Sequence, residues 1–254
     1  MKPFSWRFIR MWQRNRDVFL RLWHAEAPGF VAEPILVLLA MGLGLGAYVG
    51  LVDGQRYIEF IAPGIIASYA MFSASFECTY GSFWRMEHQR TYDAIIATPL
   101  SVEDVIAGEI FWGATRSLMT GSVILAVAAA FQLVHSPWAL LMPILSFLAG
   151  IMFSSIAILF TSLVPSFYSF NYFFTLFITP MFFFSGVFFP LSSFPEILQT
   201  LSWILPLTPV VHLARALFWG EFHLNLLVAL VIIIVLTILF FSISLVTMRR
   251  RLTV

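Results

Sequence analysis

Charge is scarce in this chain: Asp, Glu, Lys and Arg make up 11% of its 254 residues, against roughly 25% in water-soluble domains. With 60% hydrophobic residues and a mean hydropathy of +0.92, a water-soluble fold could not cover the apolar surface. A single cysteine, Cys78, excludes an intramolecular disulfide and a cysteine-based metal centre. The five histidines (His24, His88, His135, His212 and His223) are scattered without metal or triad spacing, so the acid, base or nucleophile cluster of a membrane-embedded enzyme is missing. Gly42, Gly44, Gly46 and Gly50 superficially suggest a phosphate loop, but no Lys-Ser or Lys-Thr follows and no strand precedes them. No stretch has the footprint of a nucleic-acid binder. The arginine-dense residues 1–28 contain no apolar core, which argues against a cleavable signal peptide.

What the chain does have is six apolar runs, 34–52, 60–84, 110–134, 138–164, 169–191 and 224–247, each long enough to cross about 30 Å of hydrocarbon. The expectation is an all-α integral membrane protein, one transmembrane domain over 1–254. Six of the 14 Lys and Arg residues precede the first run (Lys2, Arg7, Arg10, Arg14, Arg16, Arg21), Arg85 and Arg90 follow the second, and Arg249, Arg250 and Arg251 end the chain. The opposite side holds only Arg56 and Arg215. Positive residues mark the cytoplasmic side, so Met1, Glu87 and Val254 are expected there and Asp53, Ser136 and Glu221 outside.

Three further segments have patterns of their own. In 1–28, Arg7, Arg10, Arg14, Asp17 and Arg21 share one arc opposite Phe4, Phe8, Met11, Trp12, Val18, Phe19 and Leu22, the pattern of an amphipathic helix in the headgroup layer. In 85–109, Pro99 disfavours helix just before it, so a short helix ends near Thr98. Ser101 and Asp104 then have capping-box spacing for a helix running through Gly108 into the third span. In 192–221, Ser193 with Glu196, Thr208 before Pro209, and Gly220 suggest two helices of about 11 residues, roughly 17 Å each and too short to cross. They either re-enter from the outer face or lie flat on it. Gly42, Gly46 and Gly50 share a face suited to close helix packing.

Within the spans, Glu77 and Arg116 sit at equal depth, about 9 to 11 Å in, where opposite charges are expected to pair. So few intramembrane charges disfavour an ion-coupled transporter or channel. In the fifth run Phe170, Phe174, Phe177, Met181, Phe184 and Phe188 recur at steps of four and three. That aligned aromatic face suits either a translocation path or contact with lipid and core.

Taken in order, several motifs resemble the membrane subunits of type-2 ABC exporters, and within them the nodulation-type lipooligosaccharide permeases. They are Glu33-Pro34 with the glycine-rich 41–50, Tyr57-Ile-Glu-Phe-Ile-Ala-Pro-Gly64, Arg85-Met-Glu-His-Gln-Arg-Thr-Tyr-Asp93, Thr98-Pro-Leu-Ser101, Ile178-Thr-Pro-Met-Phe-Phe-Phe-Ser-Gly186, Leu205-Pro-Leu-Thr-Pro209 and the tri-arginine tail. The resemblance implies a permease, not itself an enzyme, in the bacterial inner membrane. It would pair with a second copy and with two copies of a separate ATPase carrying ATP and Mg. It also implies an amphipathic cargo, a lipid-linked oligosaccharide, with export of hydrophobic drugs as the alternative. By motif match it assigns ATPase coupling to Arg85, Glu87, Gln89, Arg90, Thr91 and Asp93, on a cytoplasmic coupling helix supported by the amino-terminal interfacial helix.

Overall fold

The computed structural model describes residues 5–52 and 54–253; expectations placed on Met1, Lys2, Phe4, Asp53 and Val254 lie outside them. Among the described residues, six helices are long and apolar enough to cross a membrane, over Val31–Val49, Tyr57–His88, Val102–Ala130, Pro137–Leu163, Phe167–Phe184 and Asn225–Leu252. Each overlaps one of the six apolar runs.

Helix α1 (Phe8–Leu39) continues through a π-helical turn at Ala40–Leu45 to Val49. The expected separate interfacial helix is therefore the first half of one continuous helix about 60 Å long, with Pro28 and Pro34 inside it. Its buried positions Phe8, Met11, Asn15 and Phe19, at steps of three and four, face another helix. Phe8 packs on Phe111 at 4.9 Å, Phe19 on Trp112 at 5.7 Å, and Trp12 Nε1 donates to Thr115 Oγ1 at 2.8 Å. Gly42 lies against Ile58 and Gly46 against Tyr57, but Gly50, at φ +72°, ends the helix instead of joining the packing face.

After a two-residue hairpin, β1 (Leu51–Val52) with β2 (Gln55–Arg56), helix α2 (Tyr57–Phe76) runs on through π-helical turns at Glu77–Gly81 and Trp84–His88. Short helix α3 (Thr91–Ile96) follows. Helix α4 (Val102–Ala130) starts on the expected box: Ser101 N donates to Asp104 Oδ2 at 3.1 Å, and Asp104 N to Ser101 Oγ at 3.2 Å.

Helix α4 is the centre of the bundle, packed on α1, α2 and α5 (Met142–Leu163). Small residues permit the approach: Gly108 meets Met11, Gly113 meets Ser154 and Cys78, and Gly121 meets Ser146. Hydroxyls tie the helices together, Ser117 Oγ donating to Ala70 O at 2.6 Å and Thr161 Oγ1 to Cys78 O at 2.9 Å. In a bilayer such packing and bonding replace the hydrophobic drive between helices. A Cβ at Gly150 would stand 2.7 Å from the backbone of Ala114. Gly150→Ala is thus expected to destabilise by about 1–3 kcal/mol, seen as a lower unfolding temperature in detergent. Gly29→Ala, whose Cβ would meet nothing within 4 Å, should leave it unchanged.

The fifth span, α6 (Phe167–Phe184), contains a π-helical turn at Phe174–Ile178. It stops at Phe184, short of the apolar run's end, because Gly186 takes φ +79° and Arg215 Nη2 donates to its carbonyl at 2.5 Å. Helices α7 (Glu196–Ser202) and α8 (Leu207–Trp219) meet at 89°. Ser193 does not cap α7: it lies in a 3₁₀ turn, and Pro195 takes the cap position. Thr208 sits inside α8 with its hydroxyl donating to Ser202 O, while Gly220, at φ +77°, ends the helix as its position predicts. The last helix is α9 (Asn225–Thr253). One end of the bundle gathers Arg7, Pro99, Glu87 and Arg251; the other gathers Arg56, Glu59, His135 and Trp219.

Candidate functional site

At the arginine-rich end a chain of charges runs inward from the half-exposed Glu26 to the fully buried Glu109. Glu26 Oε2 lies 2.9 Å from Arg116 Nη1, and Arg116 Nε is 3.7 Å from Glu77 Oε2. Glu77 Oε1 then meets Arg85 Nη1 at 2.8 Å, and Arg85 Nε donates to Glu109 Oε1 at 2.9 Å, with a second contact beside it. Ser82 Oγ at 2.7 Å and Asn15 Nδ2 at 3.2 Å complete the shell of Glu109, which is fully buried. Glu77 and Arg116 are therefore brought together as one link in a longer chain, and the nearer partner of Glu77 is Arg85.

This changes the place of Arg85, which the family motif assigned to the docking surface. Because α2 continues through Trp84–His88, the side chain turns back into the bundle and is only 13% exposed. Glu87 is also engaged: its Oε1 accepts from Arg251 Nη2 at 2.8 Å. Arg251 reaches further, donating to the carbonyls of Thr161 at 2.5 Å and Val164 at 2.7 Å, which end α5 and lack helical partners. Arg249 pairs with Glu103 at 2.9 Å. The tail that reads in sequence as a topology signal thus ties α9 to α2, α4 and α5.

The other four coupling candidates do line an outer rim. Arg90, in a left-handed conformation at φ +51°, starts α3 and lies 3.5 Å from Asp93, both well exposed. Thr91 Oγ1 donates to Gln89 Oε1 at 3.3 Å. Buried Tyr92 anchors this helix; burial, then the nearby Glu109 carboxylate, holds its hydroxyl well above the ordinary range, so it stays a neutral phenol.

Three adjoining cavities form a groove along α1, the first two facing α2 and the third facing the end of the fifth span. The first, about 560 Å³, opens near Gln89 and Trp84 and extends to Glu26, Glu77 and Gly81. Those three residues also line the second, about 420 Å³, with Gly29, Glu33, Tyr69, Phe72, Ser73, Phe76, Arg116 and Thr120. Gly29 and Glu33 in turn line the third, about 680 Å³ and almost wholly apolar, between Leu36, Val37 and Met41 on one wall and Phe182, Phe183 and Phe188 on the other.

The aromatic stripe expected on the fifth span is divided. Phe170 is fully buried among Tyr80, Phe83 and Phe160, and Phe174 stacks on Phe76 at 4.3 Å. Phe177 lines a separate apolar cleft with Phe240, and Phe184 leans on Phe194 at 6.0 Å. Phe188, past the helix end, is the one of the five that lines the groove. The π-helical turn and the early stop at Phe184 break the common face. The aromatic wall of the groove is instead Tyr69, Phe72, Phe76 and Tyr80 on α2. Their spacing of three, four and four was a readable signal, as was Glu26 and Glu33 seven apart across Gly29 on α1.

Residues 7–219 match the ABC-2 type transporter family. The chain is 39% identical to nodulation protein J of Sinorhizobium fredii (strain NBRC 101917 / NGR234) over 83% of its length and 80% of the relative's. It is 36% identical to nodulation protein J of Rhizobium leguminosarum bv. viciae over 96% and 95%. With the inner membrane transport permease YadH of Escherichia coli (strain K12) it shares 28% over 85% and 82%.

Proposed function

The chain belongs to the ABC-2 type transporter family, and from that premise we propose that it is the membrane subunit of an ATP-driven exporter of a lipid-linked oligosaccharide. Two copies act with two copies of a separate ATPase, which holds ATP and Mg. The complex sits in the bacterial inner membrane with both termini in the cytoplasm, and α7 and α8 re-enter from the outer side. The resemblance to nodulation-type lipooligosaccharide permeases supplies the cargo class.

The observation that carries this reading is the arrangement at the arginine-rich end. Helix α3 and the two residues before it present Gln89, Arg90 and Asp93 outward, while one turn back on the same segment Arg85 grips Glu77, a residue of the groove wall. An ATPase that shifts α3 would pull on Arg85 and so re-space the carboxylates along the groove. Packed interfaces convert small displacements of this kind into discrete rearrangements.

Proteoliposomes containing the permease and its ATPase, supplied with an acylated oligosaccharide, test the proposal. Saccharide movement is expected to require MgATP and both subunits. Movement driven by an ion gradient without ATP would assign the chain to secondary transport instead.

A further inference from the structure

The last helix is buried only at its two ends. Leu226, Ala229 and Ile233 are buried at the end that follows α8, and Ser244, Leu245 and Met248 at the arginine-rich end, while every residue of 234–243 is at least partly exposed. Residues 225–253 contain no Gly, no Pro and no π-helical turn, the usual sites of a kink. The helix, about 43 Å long, therefore moves as one rod, packed along α5 and against α8.

At its arginine-rich end this rod holds the segment that carries α3, and holds it at both ends. Arg251 Nη2 donates to Glu87 Oε1 at 2.8 Å just before α3, and its guanidinium stands 5.5 Å over the ring of Phe83. Arg249 Nη1 donates to Glu103 Oε1 at 2.9 Å, in the first turn of α4. A planar fork of donors lets Arg251 hold the carbonyls of Thr161 and Val164 at the same time. Exposed ion pairs contribute little, but the Glu103 side chain is only 7% exposed and that of Arg251 only 19%. Between these ends the segment is held by buried Tyr92 and by Arg7, whose Nη1 donates to Pro99 O at 2.9 Å. Helix α3 itself has six residues, too few to keep its place alone.

We propose that Arg249 and Arg251 are positioning residues for ATP coupling: they clamp both ends of the docking segment to α9, so that an ATPase moving α3 moves the last helix with it. Without the clamp the segment would swing alone and the displacement would be lost in it. This rests on the proposed docking role of α3, and the clamp lies outside the residues 7–219 that match the family. The competing reading gives these arginines a topological role only, as positive charge that keeps the end of the chain on its own side of the membrane.

Hydrogen exchange of the full-length permease in nanodiscs separates the two. Arg249→Gln with Arg251→Gln should raise amide exchange across residues 88–102 about tenfold and leave that of residues 57–76 unchanged. Arg250→Gln, which removes positive charge at the exposed position between them, should change neither. Arg249→Lys with Arg251→Lys keeps both charges but loses the planar fork, and should fall between. Neither ATPase nor cargo is needed, so exchange decides the clamp even if the export reading fails. In the complex with its ATPase, the double glutamine variant should go on hydrolysing ATP while transport per ATP falls about fivefold or more. A mere loss of stability would lower hydrolysis and transport together. Unchanged exchange in the double glutamine variant, an equal rise from Arg250→Gln, or an unaltered ratio of transport to hydrolysis would each overturn the assignment.

Discussion

Arg85→Ala is expected to lower the stability of the bundle by about 3–5 kcal/mol, the range seen when one partner of a buried ion pair is removed. Two carboxylates, Glu77 and Glu109, then face each other across the vacated space, the second of them fully buried in the parent protein. Glu109→Ala should cost less, because Arg85 keeps Glu77 at 2.8 Å. The informative comparison is the double replacement Arg85→Met with Glu109→Leu. It removes both charges and keeps volume, so it should recover much of the loss, with a coupling energy well beyond additivity. Thermal unfolding of the parent, Arg85→Met, Glu109→Leu and the double variant in one detergent gives the four corners of the cycle. Strictly additive shifts would mean that the two side chains do not act as a pair.

A second large effect is expected on activity and not on folding. Arg90 is exposed and left-handed at φ +51°, a conformation aspartate tolerates better than most residues. Arg90→Asp therefore keeps the backbone, reverses the charge and sets two carboxylates side by side at positions 90 and 93. If this rim docks the ATPase, ATP-dependent transport should fall about tenfold or more, and co-purification of the ATPase should weaken with it. The unfolding temperature should hold. Arg90→Gly, which removes the charge and suits the same conformation, should fall between. Normal transport by Arg90→Asp would move the docking surface elsewhere on that end. Glu87, though in the same motif, is a poorer probe, since its change also releases Arg251.

The spans were legible because each is a long apolar run, and the helix start at Ser101 was legible because a capping box is local chemistry between residues three apart. The break within the fifth run was harder to read. Phe188 continues the apolar pattern, and only the positive φ of Gly186, held by Arg215 from α8, shows that the helix has stopped. The continuity of α1 was hidden for the opposite reason. Pro28, Pro34 and the arginines suggest an end, but α4 supplies the packing partner for Met11 and Phe19 that a lone interfacial helix would lack. The pairing of Glu77 with Arg116 could be inferred from depth alone. Its extension to Arg85, Glu109 and Glu26 depends on which way side chains turn, and that direction is set by π-helical turns no periodicity of 3.6 anticipates.

Those turns at Glu77–Gly81 and Trp84–His88 are where this stretch can change length. A π-helical turn holds one residue more than an α-helical turn, and one residue is worth about 100° of rotation at 3.6 per turn. Deleting a single residue between Glu77 and Gly81 would remove the extra residue, let the turn relax to ordinary helix and leave Arg85 facing Glu109. The same deletion in regular helix would swing every later side chain by about 100°, so along α2 a one-residue alignment gap is tolerable at the π-helical turns and disruptive elsewhere.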